Sequence, residues 1–339
     1  MSNELPGVGI SLDIRNVSGE ELLSLAREAD EAGLYAVAAG DATHDTLAML
    51  SAFAAVTRRI RLISSIATWT RTPVTMARAC RTLDLLSNGR YTLGMGSMPP
   101  HFNEQFHGIP YKDPLKRMTE YIELVRLLWE ATPSTPVDYE GQFYQVKGYR
   151  VTEPPPHPLL PILIGASRPR MIRMSGEKAD GVILNVMHSI PWLRETALPA
   201  LSEGAERSGR SLEGLDKGIA FYAVATDEPE QARTAIRRTL GFHLSVPYGV
   251  EWLSSNGFPE EADAISAALE KGDRRGVADA VSDRLADTVA VVGTPEECRE
   301  RVAQYSSLVD WVLLAVPPAL PPAEQVSTIR RLIKTFGSG

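Results

Sequence analysis

A (β/α)8 barrel is the fold class that this sequence predicts, and three observations carry it. Eight short apolar segments alternate with helical patterns along 339 residues, a length that suits one barrel with insertions. Several of those segments end in small residues, as in Gly94-Met95-Gly96-Ser97 and Gly165-Ala166-Ser167, and strand ends of that kind line the mouth of a parallel barrel. Successive parallel strands need crossovers, and eight such units close a ring. The rival is an open, doubly wound sheet. It usually announces itself by a glycine-rich turn after the first strand, where this chain has Asp13-Ile14-Arg15-Asn16.

The elements follow in order. Val8–Ile14 reads as the first strand. Ser18 caps the helix Glu20–Ala32, with Glu21 three residues on, and Gly33 ends it. Leu34–Ala39 is the second strand and Thr46–Thr57 its helix. Ile60–Ala67 is the third strand. Its helix starts at Pro73, runs to about Leu86 and is stopped by Ser87-Asn88-Gly89-Arg90, because glycine adopts a left-handed backbone at little cost. Tyr91–Met95 is the fourth strand, followed by a helix from Leu115 to Trp129. Val137–Val146 alternates around Gly141 and reads as a small hairpin. Pro154–Pro158 is an extended connector.

Pro161–Ile164, Gly181–Val186, Gly218–Thr226 and Trp311–Val316 complete the eight strands. Their helices are Pro169–Lys178, Trp192–Ser208, Glu230–Leu240 and Ala323–Phe336. The stretch 241–287 is irregular and partly helical, an insertion after the seventh helix. Thr288–Val292 leads from it to Thr294, an N-cap with Pro295 at the first helical position and Glu297 completing a capping box. The expectation is a single barrel domain over residues 1–339.

Apolar residues make up 44% of the chain and charged residues 23%, with a net charge of −7 and no basic stripe, so nucleic acid is not an expected partner. No run is long and apolar enough to span a membrane, and no secretory leader is recognised at the start. Cys80 and Cys298 stand far apart in helical patterns, which fits a reducing cytoplasm.

Asp41 and His44 follow the second strand. Placed at a barrel mouth, they are candidate acid–base or cofactor-orienting groups; alternatively Thr43 or Asp45 caps the next helix and His44 is a surface residue. Ser65, Ile66 and Thr68 offer hydroxyls and a bulky aliphatic to a flat ring, or form an ordinary strand-to-loop transition. Gly94, Gly96 and Ser97 could bring backbone N–H groups to a phosphate, as could Gly165, Ala166 and Ser167 ahead of their helix. A tight turn accounts for either loop alone; two together point to an anionic cofactor tail. His101, Glu104 and His107 lie close in sequence but match no common zinc spacing, so no metal is expected there and a polar loop over a pocket is.

These residues also carry a resemblance. Arg71-Thr72-Pro73, the run Thr82–Arg90 and Leu93-Gly94-Met95-Gly96 resemble the luciferase-like monooxygenase superfamily. So do Arg117 with Glu120-Tyr121 and Arg126, Gly141-Gln142-Phe143-Tyr144, Ala179-Asp180-Gly181 and Val292-Gly293-Thr294-Pro295-Glu296. The resemblance implies a (β/α)8 barrel that binds FMN or the deazaflavin coenzyme F-420. Glu104, His107, Gly108 and Pro110 look most like the deazaflavin branch, which implies hydride transfer to or from a small carbonyl, alcohol, activated alkene or imine. Relatives carry a bulge in the third strand, often with a non-prolyl cis peptide, which would fall near Ser65-Ile66 here. The chain departs from the pattern at Gly40-Asp41-Ala42, where an acidic residue with a tryptophan is usual, at Met98 and at Phe106.

The leading expectation is an F-420-dependent oxidoreductase acting on a small molecule. The alternatives are an FMN-dependent monooxygenase with dioxygen and a partner reductase, and an idle barrel that binds a ligand or partner. The resemblance favours a homodimer. Leu47, Leu50, Phe53 and Ala54 are one apolar face that could form it, or could equally cover the barrel.

Overall fold

The computed structural model describes residues 5–152, 160–245 and 247–338; the proline-rich connector at Pro154–Pro158 lies outside them. The chain runs through β1 (Gly7–Ser11), α1 (Gly19–Glu31), β2 (Ala36–Ala39), α2 (Thr46–Val56), β3 (Arg61–Ser64), the two-residue β4 (Ala67–Thr68), α3 (Pro73–Ser87) and β5 (Tyr91–Gly96). A π-helical turn at Phe102–Phe106 precedes α4 (Pro114–Glu130). The hairpin β6 (Val137–Glu140) and β7 (Gln145–Tyr149) follows. Next come β8 (Ile162–Ala166), α5 (Pro169–Lys178), β9 (Gly181–Leu184), the short α6 (Ile190–Trp192) and α7 (Leu198–Arg207). The last part holds β10 (Asp216–Ala225), α8 (Pro229–Leu244), α9 (Pro247–Ser255), α10 (Pro259–Glu270), α11 (Arg274–Asp279), α12 (Asp283–Val289), β11 (Ala290–Gly293), α13 (Pro295–Ala303), β12 (Trp311–Ala315) and α14 (Pro322–Phe336).

Eight strands close a parallel ring in the order β1-β2-β3-β5-β8-β9-β10-β12, with β12 pairing back onto β1 and β9 onto β10. The open sheet is thereby excluded. The long β10 reaches past the ring and pairs its outer half with β11, so the segment after the insertion adds a ninth parallel neighbour rather than a barrel strand. The insertion is more regular than its sequence pattern implies: α9 to α12 form a satellite core with Tyr222, Ile236, Leu240, Trp252, Leu253 and Phe258.

Local chemistry sets the boundaries. The Ser18 side chain accepts the Glu21 N–H, the Asp45 side chain accepts the Leu47 and Ala48 N–H groups, and Thr294 with Glu297 forms the expected reciprocal capping box. Asn88 ends α3 in a left-handed conformation. The third strand breaks after Ser64, giving β3 and β4 on either side of Ser65-Ile66.

Leu47, Leu50, Phe53 and Ala54 are between 0% and 6% exposed in the single chain and belong to the helix-to-barrel core. Of the two roles open to that face, the structure selects covering the barrel; a subunit contact there would have no apolar surface to bury.

Ala36, Ala38, Ile63, Leu163, Ile183, Trp311 and Leu313 fill the barrel interior. Its N-terminal end is plugged by a polar and aromatic cluster. Arg61 donates to Asp216 at 2.5 Å and to the Tyr35 hydroxyl at 2.5 Å, and lies over the Tyr35 and Trp311 rings. The Trp311 indole N–H donates to the other Asp216 oxygen at 2.5 Å. Glycine at position 218 is required by this plug, since a Cβ there would stand 2.1 Å from the Trp311 ring. Asp216→Ala strands the Trp311 N–H and the Arg61 guanidinium together. It is expected to cost about 2–3 kcal/mol of stability, read as a lower midpoint in urea unfolding; an unchanged midpoint would show that the plug carries no weight.

Candidate functional site

Two strand ends converge on one side chain. The peptide between Ser65 and Ile66 is cis, and Ile66 stands between the ends of β5 and β8. A Cβ at Gly96 would lie 1.8 Å from the Ile66 Cδ1, and one at Gly165 would lie 2.8 Å from its Cγ2. The two glycine loops therefore sit at the same end of the barrel, and their lack of side chains admits Ile66. Gly94 is a step deeper. Its N–H and C=O both bond the Ser64 hydroxyl, and a Cβ would meet the Ser64 carbonyl at 2.0 Å. Gly94 thus seats the third strand, while Ile66 forms a half-buried apolar shelf at the barrel mouth.

Asp41 holds that shelf in place. Its carboxylate accepts two bonds from Arg71, at 2.5 and 2.9 Å, and one each from the Thr68 and Thr46 N–H groups at 2.9 and 3.1 Å. Its own N–H donates to the Ile66 carbonyl at 3.1 Å. Arg71 also binds Asp45 at 2.6 Å, and the Tyr121 hydroxyl donates to the Arg71 carbonyl. The bidentate fork suits a planar guanidinium. Four donors leave the Asp41 carboxylate little capacity for another partner. Thr68 is fully buried, its hydroxyl 2.6 Å from that of Thr70.

Asp13, just past β1, is a mouth residue that the sequence reading passed over. One of its carboxylate oxygens lies 3.3 Å from where a Gly40 Cβ would stand, and the same point is 2.7 Å from the Ser65 carbonyl. Burial pushes the Asp13 carboxyl up to about 6. Nearby His44 and Arg15 work the other way, and Asp41 adds to the rise. A carboxyl poised there suits proton exchange near neutral pH. Its signal was legible as the lone charged residue in the mostly apolar run Val8–Ile14. His44 is exposed on the turn after β2 and close enough to Asp13 to act on it electrostatically. Near Asp13, Tyr222 shares a 2.5 Å hydrogen bond with His243. Burial pushes the Tyr222 hydroxyl up, Asp13 adding to it, and burial pulls His243 down.

The rim between β5 and α4 is braced from beneath. The Trp69 indole N–H donates to Asn103 at 2.6 Å, and the Asn103 amide donates to the Ser97 and Pro99 carbonyls. The Tyr111 hydroxyl donates to Ser97 at 3.2 Å. Arg117 stacks over Trp69, Phe143 and Tyr144 and bonds the Tyr144 hydroxyl. His101 and His107 pack against Phe106 and Phe102, and the Glu104 carboxylate accepts the Tyr111 N–H. No group of three metal-ligating side chains occurs among the described residues. Across the mouth, Ser167 accepts from Asn185 at 3.3 Å, and Ala166 is buried. Helix α5 starts directly after Ser167 and Arg168 with no side-chain cap, so its positive end is open to an anion. A flat apolar shelf, small hydroxyl-bearing rims and an uncapped helix start fit a ring with an anionic tail.

The chain matches the model of the luciferase-like monooxygenase family over residues 8–310. It is 32% identical over 266 residues to 5,10-methylenetetrahydromethanopterin reductase of Archaeoglobus fulgidus, covering 76% of this chain and 77% of that one. It is 27% identical over 315 residues to the F-420-dependent glucose-6-phosphate dehydrogenase of Nocardia farcinica, covering 88% of each. Among solved structures, that of the coenzyme F-420-dependent tetrahydromethanopterin reductase from Methanopyrus kandleri superposes with a TM-score of 0.80. The alignment has 22% identity and covers 99% of this chain and 100% of that one.

Two outcomes test this geometry. Gly96→Ala drives a methyl group into Ile66 and is expected to cost about 1–3 kcal/mol; adding Ile66→Ala should recover most of the lost unfolding midpoint. Asp13 has its folded pKa above the ordinary value, so its ionisation costs stability as pH rises from the usual aspartate range through about 6. Asp13→Asn should therefore stabilise the fold by about 1–2 kcal/mol near pH 8, with the gain vanishing toward pH 4. Thermal unfolding across pH checks it, and a gain that grows on acidification would contradict the assignment.

Proposed function

Because the chain belongs to the luciferase-like monooxygenase family, we propose that it is an oxidoreductase passing a hydride between the deazaflavin coenzyme F-420 and a small organic substrate. The observation that carries this is the Ile66 shelf, set between Gly96 and Gly165 with the Asp13 carboxyl at its edge. Support for the deazaflavin over other redox groups comes from the likeness to the F-420-dependent glucose-6-phosphate dehydrogenase of Nocardia farcinica and to the coenzyme F-420-dependent reductase of Methanopyrus kandleri.

The cofactor, when bound, supplies the hydride chemistry, and the protein supplies position and proton control. Ile66 and Ser65 support the ring from one side, with Thr68 behind them. Ser97, Gly165, Ala166 and Ser167 line the way for the polar tail, with Gly94 and Gly96 shaping that side, and the uncapped start of α5 favours its negative charge. Asp13 gives a proton to, or takes one from, the substrate oxygen or nitrogen, assisted by His44. Asp41 is a positioning residue: through Arg71 and the Thr68 N–H it fixes the peptide that carries Ile66. We place this activity in the cytoplasm, on one barrel domain with an inserted helical unit, and in a homodimer built on surfaces other than the buried face of α2.

Titration of the purified chain with F-420 and, separately, with FMN tests the reading. Binding of F-420 with little or no FMN binding is the expected result. The reverse would move the chain to the oxygen-using branch with a partner reductase, and binding of neither would favour an idle barrel. Arg71→Lys, which loses the fork but keeps the charge, is expected to weaken F-420 binding about tenfold with little loss of folded protein; unchanged binding would remove Asp41 and Arg71 from the positioning role.

A further inference from the structure

We infer that the groove between α4 and α5, headed by Lys116 and Arg170, holds the outer, carboxylate-bearing end of the cofactor tail. The chain then discriminates F-420 molecules by the number of glutamates they carry. This rests on the oxidoreductase reading above and extends the cofactor side of that same site outward.

Topology directs the tail there. Ile66 stands between the ends of β5 and β8, which are neighbours in the ring. The helices that lead on from these two strands are α4 and α5. A tail that leaves the shelf between Ser97 and Ser167 therefore runs out between the starts of those helices. A groove of about 580 Å³ opens between them, from Lys116 and Arg170 at the outer rim to Glu123 and Lys178 further down. The β6–β7 hairpin walls it through Tyr139 and Gly141. The Glu120 carboxylate fixes that wall, accepting the N–H groups of Gln142, Phe143 and Tyr144 at 3.1, 3.0 and 2.8 Å. A Cβ at Gly141 would stand 2.1 Å from the Glu120 Oε1, so glycine is what lets the carboxylate in.

Charge is arranged unevenly along the groove. Its inner cations are engaged: Lys178 pairs with Glu123 at 2.9 Å, and Arg173 and Arg207 each pair with Glu203 at 2.6 Å. Arg207 also lies 3.9 Å from Glu177. Lys116 and Arg170 differ. Both are exposed, and neither has a carboxylate partner among the described residues. F-420 carries, beyond its phosphate, a chain of γ-linked glutamates that repeats methylene stems and carboxylates. Such a chain suits two free cations with Leu115 and Met174 between them and the inner end. Glu123 lies seven residues beyond Lys116 on α4, and Glu177 seven beyond Arg170 on α5. On either helix that is a rise of about 10 Å, room for roughly two extended glutamyl units before like charge is met. Exposed ion pairs are individually weak and screened by salt, so the preference is modest, salt-sensitive and soon saturated.

The experiment is an equilibrium titration of the full chain, read by deazaflavin fluorescence. The probes are F-420 with no glutamate, with a pair of glutamates and with a long glutamate chain. At low salt the two-glutamate form is expected to bind about three- to tenfold tighter than the form with none, and longer chains to add less than about twofold. Raising sodium chloride from about 50 mM to about 500 mM should remove most of the difference. The double variant Lys116→Ala, Arg170→Ala should bind every form about as the parent binds the form with none. Its unchanged affinity for that form shows that the barrel is intact. The double variant Lys116→Glu, Arg170→Glu should reverse the order, with the glutamate-free form bound best. Equal affinity of the parent for all three forms, a gain that keeps growing with chain length, or a preference that survives in the alanine variant would each overturn the inference while leaving the oxidoreductase reading in place. A chain that binds no form of F-420 overturns that reading, and this inference with it.

Discussion

The seat of Ile66 is the constraint on which the rest of the barrel mouth depends. A strand that continued straight past Ser64 would leave the ends of β5 and β8 with an empty centre. Instead the chain breaks at Ser65-Ile66, and the isoleucine fills the space that Gly96 and Gly165 leave open. Close packing makes such a seat exclusive: a single added methyl group at either glycine has nowhere to go. The glycines that look like phosphate cradles in the sequence serve first to admit a side chain.

Electrostatics secures the same seat from outside. The carboxylate of Asp41 gathers donors from three elements: a helix start, the β4 strand and the Arg71 fork. An acid so fully engaged is well suited to hold backbone and poorly suited to shuttle protons. Asp13, which finds no such donors among the described residues and is raised by burial, has the opposite character. The two carboxyls lie near one another, and their surroundings alone give one of them four hydrogen-bond donors and leave the other raised by burial.

The two ends of the barrel differ in the same physical terms. At the N-terminal end Arg61, Asp216, Tyr35 and Trp311 satisfy one another almost completely, which is the mark of a stabilising plug. At the C-terminal end a raised carboxyl and an uncapped helix start remain.

The sequence by itself determined the alternation of strands and helices, the caps at Ser18 and Thr294, and the stop at Ser87-Asn88-Gly89-Arg90, while the place of the third-strand bulge came from the family resemblance. The alternation, the caps and the stop depend on spacing and on local backbone preferences, which act over a few residues. Only the tertiary structure decided that Gly96 and Gly165 share one side chain, that the acid after β2 is tied down while the acid after β1 is not, that the α2 face covers the barrel, and that α9 to α12 gather around a core of their own. Each of these is set by contacts between residues far apart in the chain, where burial and the number of available donors, rather than residue type, fix what a side chain can do.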